Sequence, residues 1–456
     1  MSKKNLPDLD PGYIPAYRFI SDYLNEAKTP YAIAWERQDG YLTLYDTFCY
    51  GTPEHIQLDL RYLELIIKFS FYAWGGWKLY LCGDKTLSEK IKEICLSAER
   101  FEKLVEIAEI TYEHPLTVEI LEYEQCPSAK ESSEPVGRHL DGCRIGFDAG
   151  GSDHKISSVI DGEAIYSEEI EWVPKLKSDP DYHYDLILKA MHTAASKMPR
   201  VDAIGVSTAG IVVSNRVMMA ALFQLVPKEL FDKKAKNIYL RAAKEIGDVP
   251  VTVRNDGDVS ALAGSMSIGE NKVLGIAMGT SEAAGYVDAN GNLTSWLNEL
   301  ALAPVDLNES APFDFTAQDI GVGAQYFSQD SVIRLAASAG IELEQDQLPA
   351  QKLKVVQELM AQNDLRARKI YENIGCYFAH SLALYSLFYD IKYVLLLGRV
   401  VSGIGGDILL AECNRILQEE YPEINDYMTI MMPDEKARRI GQSVAAASLP
   451  SIKKSV

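Results

Sequence analysis

The chain has 456 residues, too many for a single hydrophobic core, so we expect two or three domains. Hydrophobic residues make up 47% of it and charged residues 24%, which is the balance of an ordinary globular protein. The formal net charge of −20 argues against a nucleic-acid partner, because binding to phosphates usually needs a basic face.

Neither a membrane span nor a secretory signal is evident. No apolar run is long enough to cross a bilayer, and the first residues lack an apolar signal segment. The seven cysteines are scattered and none forms a Cys-x-x-Cys pair, which is typical of free thiols in a reducing compartment. We therefore predict a cytoplasmic protein with no membrane partner and no zinc site built from cysteines.

The N-terminal part alternates helix-like and strand-like segments. In chain order the pattern predicts a helix at 17–27, a hairpin turning at Asp39-Gly40, a buried helix at 62–74, a strand at 76–84, more helix at 87–110 and a strand at 116–124. The polar stretch 126–139 is predicted to be a linker. Residues 1–138 carry 15 Lys and Arg against 23 Asp and Glu, so a DNA-reading helix is not expected there.

After the linker, strands and helices alternate on a larger scale, as in α/β folds. The predicted elements are a glycine-rich hairpin at 143–162, strands at 201–212 and 249–253, a second hairpin at 273–293, a long helical region at 331–390, a strand, glycine turn and helix at 393–413, and a last helix at 436–449.

The tip of the first hairpin, "DAGGSDHK" at 148–155, could carry chemistry. Its glycines would bring backbone N–H groups close to an anion and supply positive φ angles at the turn. Ser152 adds a hydroxyl and Lys155 a cation, and the Asp148 carboxylate could hold Mg²⁺. The same residues also suit an ordinary hairpin turn, so both interpretations stay open.

A second motif, "VRNDGDVSALAG" at 253–264, carries Asn255 and Asp256 at the end of a strand. A carboxylate in this position of an α/β sheet lies where such folds place active sites, and it can accept a proton from an attacking hydroxyl. The alternative is that Asp256 is simply the N-cap of the helix that follows. A third motif, the turn at 278–285, is another small, hydroxyl-bearing loop between strands. In a fourth, at 395–407, small residues after a strand and before a helix would let a flat ring or a ribose lie against the backbone.

These four motifs, in this order, resemble those of the sugar-kinase, heat-shock-protein and actin superfamily. Within it the chain looks most like the ROK family (repressor, open reading frame, kinase), over about residues 143–450. The resemblance implies an α/β, actin-like ATPase (ribonuclease H-like) fold of two lobes with an additional N-terminal α/β domain. It implies an accessory domain at 1–138, a first lobe at 139–265 and a second lobe at 266–456, whose last helix returns to the first lobe.

The resemblance also implies a role for each candidate residue. Asp256 would be the catalytic base and Asp148 would lie near Mg²⁺. Contacts with the sugar are implied for Asn255, Glu299, Ser207 and Thr208. Contacts with the nucleotide are implied for Gly150, Gly151, Ser152, Lys155, Gly279, Thr280, Ser281, Gly398 and Gly403.

Several positions depart from the family pattern. The family's cysteine-rich zinc motif is absent and its histidine is Leu302, so no zinc is expected. In the second hairpin, Ser281 replaces a family glycine and Glu282 adds a negative charge near the presumed phosphate. In the last glycine turn, Arg399 and Val400 replace two glycines, and bulky side chains there can block the approach of a ligand to the backbone.

The sequence therefore predicts ATP- and Mg²⁺-dependent phosphorylation of a sugar or a sugar-like alcohol. The expected partners are the sugar and the nucleotide, with a homodimer as one option for assembly. The alternatives are a non-catalytic ROK-like sugar-binding or regulatory protein with decayed nucleotide loops, and a different ATPase of the same fold.

Overall fold

A computed structural model describes residues 5–131, 135–432 and 435–452. The chain divides into two compact units, which we describe separately. The larger unit comprises Met1–Glu131, Ile276–Ala284 and Trp296–Met431, and the five-stranded unit comprises Ser132–Gly275, Gly285–Ser295 and Met432–Val456.

The larger unit holds the N-terminal segment together with most of the predicted second lobe. The last helix groups instead with the predicted first lobe. The domain boundaries at 138 and 265 stay predictions. Within the predicted linker at 126–139, residues 132–134 lie outside the described residues.

The N-terminal segment forms a four-stranded sheet flanked by helices. Its elements are α1 (Ala16–Glu26), β1 (Thr29–Glu36), β2 (Leu42–Cys49), α2 (Ile56–Trp74), β3 (Lys78–Cys82), α3 (Lys85–Ser97), α4 (Glu99–Tyr112) and β4 (Thr117–Leu121). The strand order is β2-β1-β3-β4; β1 pairs antiparallel with both neighbours, and β3 pairs parallel with β4.

The hairpin between β1 and β2 turns where it was predicted. Asp39 and Gly40 have φ angles of 59° and 68°, the left-handed pair that tight hairpin turns require. The predicted helical stretch 87–110 is two helices, because the backbone is extended at Ala98 (ψ 134°). Helix α2 is buried along most of its length, and Trp35 of β1 packs on it with its Nε1 donating to Ser70 Oγ at 2.9 Å.

The five-stranded unit is built around one mixed sheet. Its elements begin with β5 (Cys143–Ala149), β6 (Asp153–Ile160), β7 (Glu163–Glu171), α5 (Pro180–Ala195), β8 (Ala203–Thr208), β9 (Ile211–Val213), β10 (Arg216–Met219), α6 (Lys228–Leu230), α7 (Ile238–Ile246), β11 (Val251–Asn255) and α8 (Asp256–Ile268). The strand order is β11-β8-β5-β6-β7, in which β5, β8 and β11 run parallel and β6 and β7 are antiparallel additions.

The remaining elements complete both units. They are β12 (Val273–Met278), β13 (Glu282–Val287), β14 (Phe313–Asp314), β15 (Asp319–Ile320), α9 (Gln329–Ser338), α10 (Pro349–Ala361), α11 (Leu365–Tyr385), β16 (Tyr393–Leu397), α12 (Ile404–Glu420), α13 (Pro422–Asn425), β17 (Thr429–Met431) and α14 (Glu435–Ala447). A second four-stranded sheet has the order β13-β12-β16-β17.

Glycines and a proline determine where the helices at 331–390 are divided and how closely α14 packs on the five-stranded sheet. The predicted helical region 331–390 is divided into three helices, with Gly340 at a φ of 73° after the first and Pro349 starting the second. Helix α14 crosses the parallel strands over Gly146 and Gly205. A Cβ atom on Gly205 would lie 1.7 Å from the carbonyl oxygen of Ala446, so only glycine admits the helix there.

Across the described ranges, no helix is both long and apolar enough to cross a membrane. This holds even for α11, the longest of them at 21 residues.

One buried histidine makes the stability of the larger unit depend on pH. His380 of α11 is 1% exposed; its Nε2 donates to the carbonyl of Asn5 at 2.9 Å, and its Nδ1 accepts from the hydroxyl of Tyr421 at 2.6 Å. Burial lowers the pKa of His380 to about 4, whereas the unfolded value is about 6.5. The folded state therefore binds fewer protons than the unfolded state between these values.

We expect the free energy of unfolding to fall as pH drops from about 6.5 towards 4, with His380 accounting for up to about 3 kcal/mol. Denaturant unfolding at several pH values, compared between the wild type and His380→Gln, measures this contribution. The same substitution at the exposed His114 is the control. Parallel pH curves for the wild type and His380→Gln would contradict the prediction.

Candidate active site

Three parallel strands of the five-stranded unit end side by side. Ala149 of β5 lies beside Thr208 of β8, which in turn lies beside Asn255 of β11. One residue earlier, Asp148 is next to Ser207. Because α/β folds place ligand sites at the carboxyl ends of their parallel strands, this edge is the candidate active site.

Asp148 is buried at this edge, with 6% of its surface exposed. Its Oδ1 accepts from Ser207 Oγ at 2.7 Å and from Gln442 Nε2 at 3.5 Å. Burial raises the pKa of Asp148 to about 6; the charge of Asp256 also raises it, while Ser207 and Lys155 lower it. The hydrogen bonds therefore fix the orientation of the Asp148 carboxylate, but they only partly offset the cost of burying its negative charge.

Asn255, and not Asp256, is the N-cap of α8. The side chain of Asn255 accepts from the backbone N–H of Gly257 at 2.7 Å, and its Nδ2 donates to the carbonyl of Gly210 at 2.8 Å. The alternative interpretation of Asp256 as the cap is thus wrong. Both polar groups of the Asn255 amide are occupied by the protein, so the contact of Asn255 with a sugar stays a prediction.

The Asp256 side chain is half-buried in the first turn of the helix. One of its oxygens accepts from the N–H of Gly257 at 3.0 Å. Burial raises the pKa of Asp256, and this backbone hydrogen bond opposes the shift. Because Asn255 caps α8, the contacts of the described residues give the Asp256 carboxylate no further structural role.

The two acids suit a magnesium ion better than a zinc ion. Asp148 and Asp256 are close enough for the charge of one to raise the pKa of the other. Mg²⁺ is usually held by one or two carboxylates together with water and substrate phosphates, so this pair fits its preferences. Within the described part of the chain, no group of three or more His, Cys, Asp or Glu side chains is placed to hold a metal.

The hairpin between β5 and β6 is tight for a different reason than expected. Neither Gly150 nor Gly151 has a φ in the left-handed range, so the expectation that they supply left-handed turn geometry is wrong. Gly150 is required by proximity, since a Cβ atom there would lie 2.7 Å from the carbonyl of Asp153. Trp172 holds the tip, with its Nε1 donating to the Gly150 carbonyl at 2.8 Å and its N–H donating to the Ser152 carbonyl at 3.1 Å.

Two lysine side chains lie near the tip of this hairpin, one on β6 itself and one from the chain after β7. Lys155 lies opposite Asp148 across the hairpin, and its Nζ is 3.4 Å from Asp153 Oδ1. Lys175, which the sequence analysis did not single out, lies closer to the tip. Its Cε and Nζ are 3.3 and 3.4 Å from the position of a Cβ atom on Gly151. Lys175 lies near the hairpin tip because β7 returns the chain there, just before the short turn Pro174–Leu176. The sequence pattern did not predict β7 as a separate strand.

The hydroxyls near the site are mostly occupied within the protein. Ser207 and Thr208 are fully buried; Ser207 donates to Asp148, and Thr208 Oγ1 lies 2.8 Å from the hydroxyl of Tyr239. The Ser152 hydroxyl donates to Asp153 Oδ2 at 3.1 Å. These contacts favour a positioning role for Ser207 and Thr208, and their contact with a sugar stays a prediction.

The larger unit carries the other predicted residues. Gly279, Thr280 and Ser281 form the turn between β12 and β13, in which the N–H of Gly279 donates to the carbonyl of Ser281 at 3.0 Å. Glu299 is half-buried, and its N–H donates to the carbonyl of Tyr72 at 2.9 Å. Their roles in binding stay predictions.

Glu282 points into the interior of the larger unit. It is 5% exposed, and its Oε1 accepts from the hydroxyl of Tyr385 at 3.4 Å. Burial raises the pKa of Glu282 to about 8, and the charge of Glu299 adds to this effect. A buried carboxyl with a raised pKa carries less negative charge at neutral pH than an exposed one, and the nearness of Glu282 to a phosphate stays a prediction.

The glycine turn after β16 retains its special geometry. Gly398 has a φ of 101°, and a Cβ atom on it would lie 2.2 Å from the carbonyl of Met278. Gly403 has a φ of 74°, with no atom of the described structure within 4 Å of a Cβ placed there. Val400 is fully buried and Arg399 is exposed, so Val400 does not project from the turn as a blocking side chain.

Comparison with known proteins shows what kind of architecture this is. No family model matches the sequence, and no curated protein matches it. Among solved structures, the chain is similar to a ROK family transcriptional regulator, a homologue of the E. coli Mlc protein, with a TM-score of 0.54 and 16% identity over 68% of this chain and 79% of that one. It is also similar to the ROK hexokinase from Thermus thermophilus, with a TM-score of 0.51 and 18% identity over 66% of this chain and 97% of that one.

At these identities the similarity establishes the fold. The chain has the actin-like ATPase architecture of ROK proteins, so the predicted fold class is confirmed and the resemblance to the ROK family holds at the level of fold.

Proposed function

We propose that this protein is an ATP- and Mg²⁺-dependent kinase of a sugar or a sugar-like alcohol. The observation that supports it most is the pair of acids, Asp148 and Asp256, at the carboxyl ends of β5 and β11, two parallel strands of one sheet that are separated by β8, beside a glycine hairpin. The similarity in fold to a ROK hexokinase supports the same reaction class.

Three candidate residues of the five-stranded unit have a defined role in the proposed reaction. Asp256 accepts the proton of the attacking sugar hydroxyl, and its raised pKa makes it a better base than an exposed aspartate. Ser207 orients Asp148, which would hold the magnesium ion. When bound, that ion would neutralise charge on the transferred phosphoryl group.

The hairpin and its lysines would bind the phosphate chain of the nucleotide. In this proposal the backbone N–H groups of Gly150 and Gly151 donate to the phosphates, and Lys155 and Lys175, whose side chains lie near the hairpin, add positive charge. In the larger unit, the two glycine-containing turns are the proposed nucleotide contacts, at Gly279, Thr280, Ser281, Gly398 and Gly403. Glu299 is the proposed sugar contact of that unit.

A second candidate function is a non-catalytic, ROK-like sugar-binding or regulatory protein. The similarity in fold to a ROK transcriptional regulator favours it, since that structure matches with a TM-score of 0.54. Calorimetric titration with MgATP, followed by a coupled assay for ADP release over a panel of monosaccharides and polyols, separates the two candidates. Nucleotide binding with sugar-dependent ADP release supports the kinase, and sugar binding without either supports the regulator.

Gly151→Val is expected to weaken MgATP binding by about tenfold or more, equivalent to about 1.4 kcal/mol. A branched side chain would cover the backbone N–H groups at the tip and displace Lys175, whose side-chain end lies 3.3 Å from the new Cβ atom. The fold should persist, because only this flexible side chain has to move. Calorimetry with MgATP and a thermal melt measure the two effects separately.

Gly247→Val is the matched control for this substitution. It lies in the same unit, and the nearest atom to a Cβ placed there is Val249 Cγ1 at 3.7 Å, an ordinary contact. Unchanged MgATP affinity in Gly151→Val would show that the hairpin is only a turn.

A further inference from the structure

A buried histidine near the start of α5 holds the short turn that carries Lys175. His183 is fully buried, and its Nε2 donates to the carbonyl oxygens of Pro174 at 3.1 Å and Leu222 at 3.2 Å. Its Nδ1 lies 3.2 Å from the carbonyl oxygen of Asp179. Because carbonyl oxygens only accept, Nε2 carries a hydrogen that it shares between two segments of the chain. His183 therefore joins α5 to the turn Pro174–Leu176 and to the chain at Leu222.

Two further hydrogen bonds fix the residues on either side of Pro174. The N–H of Val173 donates to the hydroxyl of Tyr182, also in α5, at 3.2 Å. The side chain of Gln224 donates from its Nε2 to the carbonyl oxygen of Lys175 at 3.2 Å. Three consecutive residues of the chain thus have their backbone attached to neighbouring elements by side chains.

The position of the Lys175 side chain depends on this attached backbone. The lysine is exposed, and its Cε and Nζ lie 3.3 and 3.4 Å from the position of a Cβ atom on Gly151. On the other side of the hairpin tip, Trp172 binds the carbonyl oxygens of Gly150 and Ser152. The segment that leaves β7 therefore contacts the tip through both Trp172 and Lys175.

We propose that His183, assisted by Gln224, is a positioning residue that holds the turn Pro174–Leu176 so that Lys175 reaches an anion bound at the hairpin tip. The inference rests on the proposed function, in which this hairpin binds the phosphates of the nucleotide. Because His183 is fully buried, it acts through the turn and not by contact with the nucleotide. A turn that is already fixed spares the nucleotide the entropic cost of ordering it.

Hydrogen exchange of the purified full-length chain, followed by peptide mapping of residues 173–178, tests the positioning without any nucleotide. Two backbone hydrogen bonds of 3.1 and 3.2 Å close the turn and should protect its amides. In His183→Phe, which keeps a ring but removes both ring nitrogens, exchange should be about tenfold faster or more. His183→Gln, whose amide can still donate to the Pro174 carbonyl, should restore most of the protection. His192→Phe, at an exposed position of the same helix, is the control. Unchanged exchange in His183→Phe would overturn the inference.

Calorimetry with MgATP measures the consequence for binding. Lys175→Met should weaken the affinity by about fivefold to tenfold, and His183→Phe by a similar factor. If His183 acts only through Lys175, the double variant should bind no more weakly than Lys175→Met alone. Additive losses would mean that His183 supports the site in some other way. Lys177→Met is the matched control, because this lysine lies over the ring of Tyr182 and should matter less than twofold.

Gln224→Ala keeps the test decisive if His183→Phe does not fold. Gln224 is exposed, so the variant should fold while losing the hydrogen bond to the Lys175 carbonyl. It should speed exchange in the turn and weaken MgATP binding, and circular dichroism checks the folding of every variant.

The outcomes separate this inference from the proposed function. If the wild type does not bind MgATP, the proposed function fails, and the exchange data alone decide whether His183 positions the turn. If the wild type binds MgATP but Lys175→Met binds it equally well, the positioning inference fails and the kinase proposal stands. The same holds if Lys175→Met weakens binding while neither His183→Phe nor Gln224→Ala does.

Discussion

Asp256→Asn is expected to lower the rate of phosphoryl transfer by about 10²–10⁴-fold, the usual cost of removing a general base. An asparagine side chain fills the same space but cannot accept the proton of a hydroxyl. The cap of α8 should survive, because Asn255 makes it by accepting from the N–H of Gly257. Turnover should therefore fall without a comparable change in the melting temperature.

The measurement is turnover on the substrate that the wild type phosphorylates best, with circular dichroism as the check on folding. Asp181→Asn is the matched control, since Asp181 also lies in the first turn of a helix of the same unit and its partner is Lys234. It should retain near wild-type turnover. If Asp256→Asn does so too, Asp256 is not the base, even if the protein is a kinase.

Local sequence patterns predict much of this fold because the signals are local. The turn at Asp39-Gly40, the buried helix α2 and the acids at strand ends all rest on residues within a few positions of one another. The candidate site follows from the same logic, since an acid at the end of a parallel strand lies at the ligand-binding edge of the sheet.

What the sequence does not reveal is set by contacts between distant residues. Lys175 approaches Gly151 only because β7 doubles back along β6. Thr208 meets a hydroxyl partner, Tyr239, that is 31 residues away. Glu282 shows a further limit: a sequence pattern can place an acid beside a turn, but which face of β13 its side chain occupies depends on the packing around Tyr385.

Asp148→Asn is expected to stabilise the protein while impairing it as a kinase. Burial raises the pKa of Asp148 to about 6 from a model-peptide value of about 3.9, so holding it ionised costs the folded state up to about 3 kcal/mol. Asparagine removes that cost and still accepts from Ser207, although its amide carries a smaller burial cost of its own. We expect a gain of about 1–3 kcal/mol in the free energy of unfolding at pH 7.5.

The direction in which the stability gain of Asp148→Asn changes with pH shows whether the buried charge of Asp148 causes that gain. A carboxyl with a raised pKa in the folded state destabilises it fully above about pH 6 and not at all below about pH 4. The stability advantage of Asp148→Asn over the wild type should therefore shrink as pH falls from 6 to 4. Asp161→Asn, an exposed turn residue of the same unit, should show little difference at any pH.

The functional half of this prediction is a loss of magnesium dependence. Asparagine is a poor ligand for Mg²⁺ compared with a carboxylate, so Asp148→Asn should bind MgATP no better than ATP in the presence of a chelator. Calorimetry with both ligands measures this directly. A variant that gains stability but keeps a magnesium-dependent affinity would mean that Asp148 is buried for another reason. A variant that gains no stability would mean that the carboxylate is already neutralised in the folded protein.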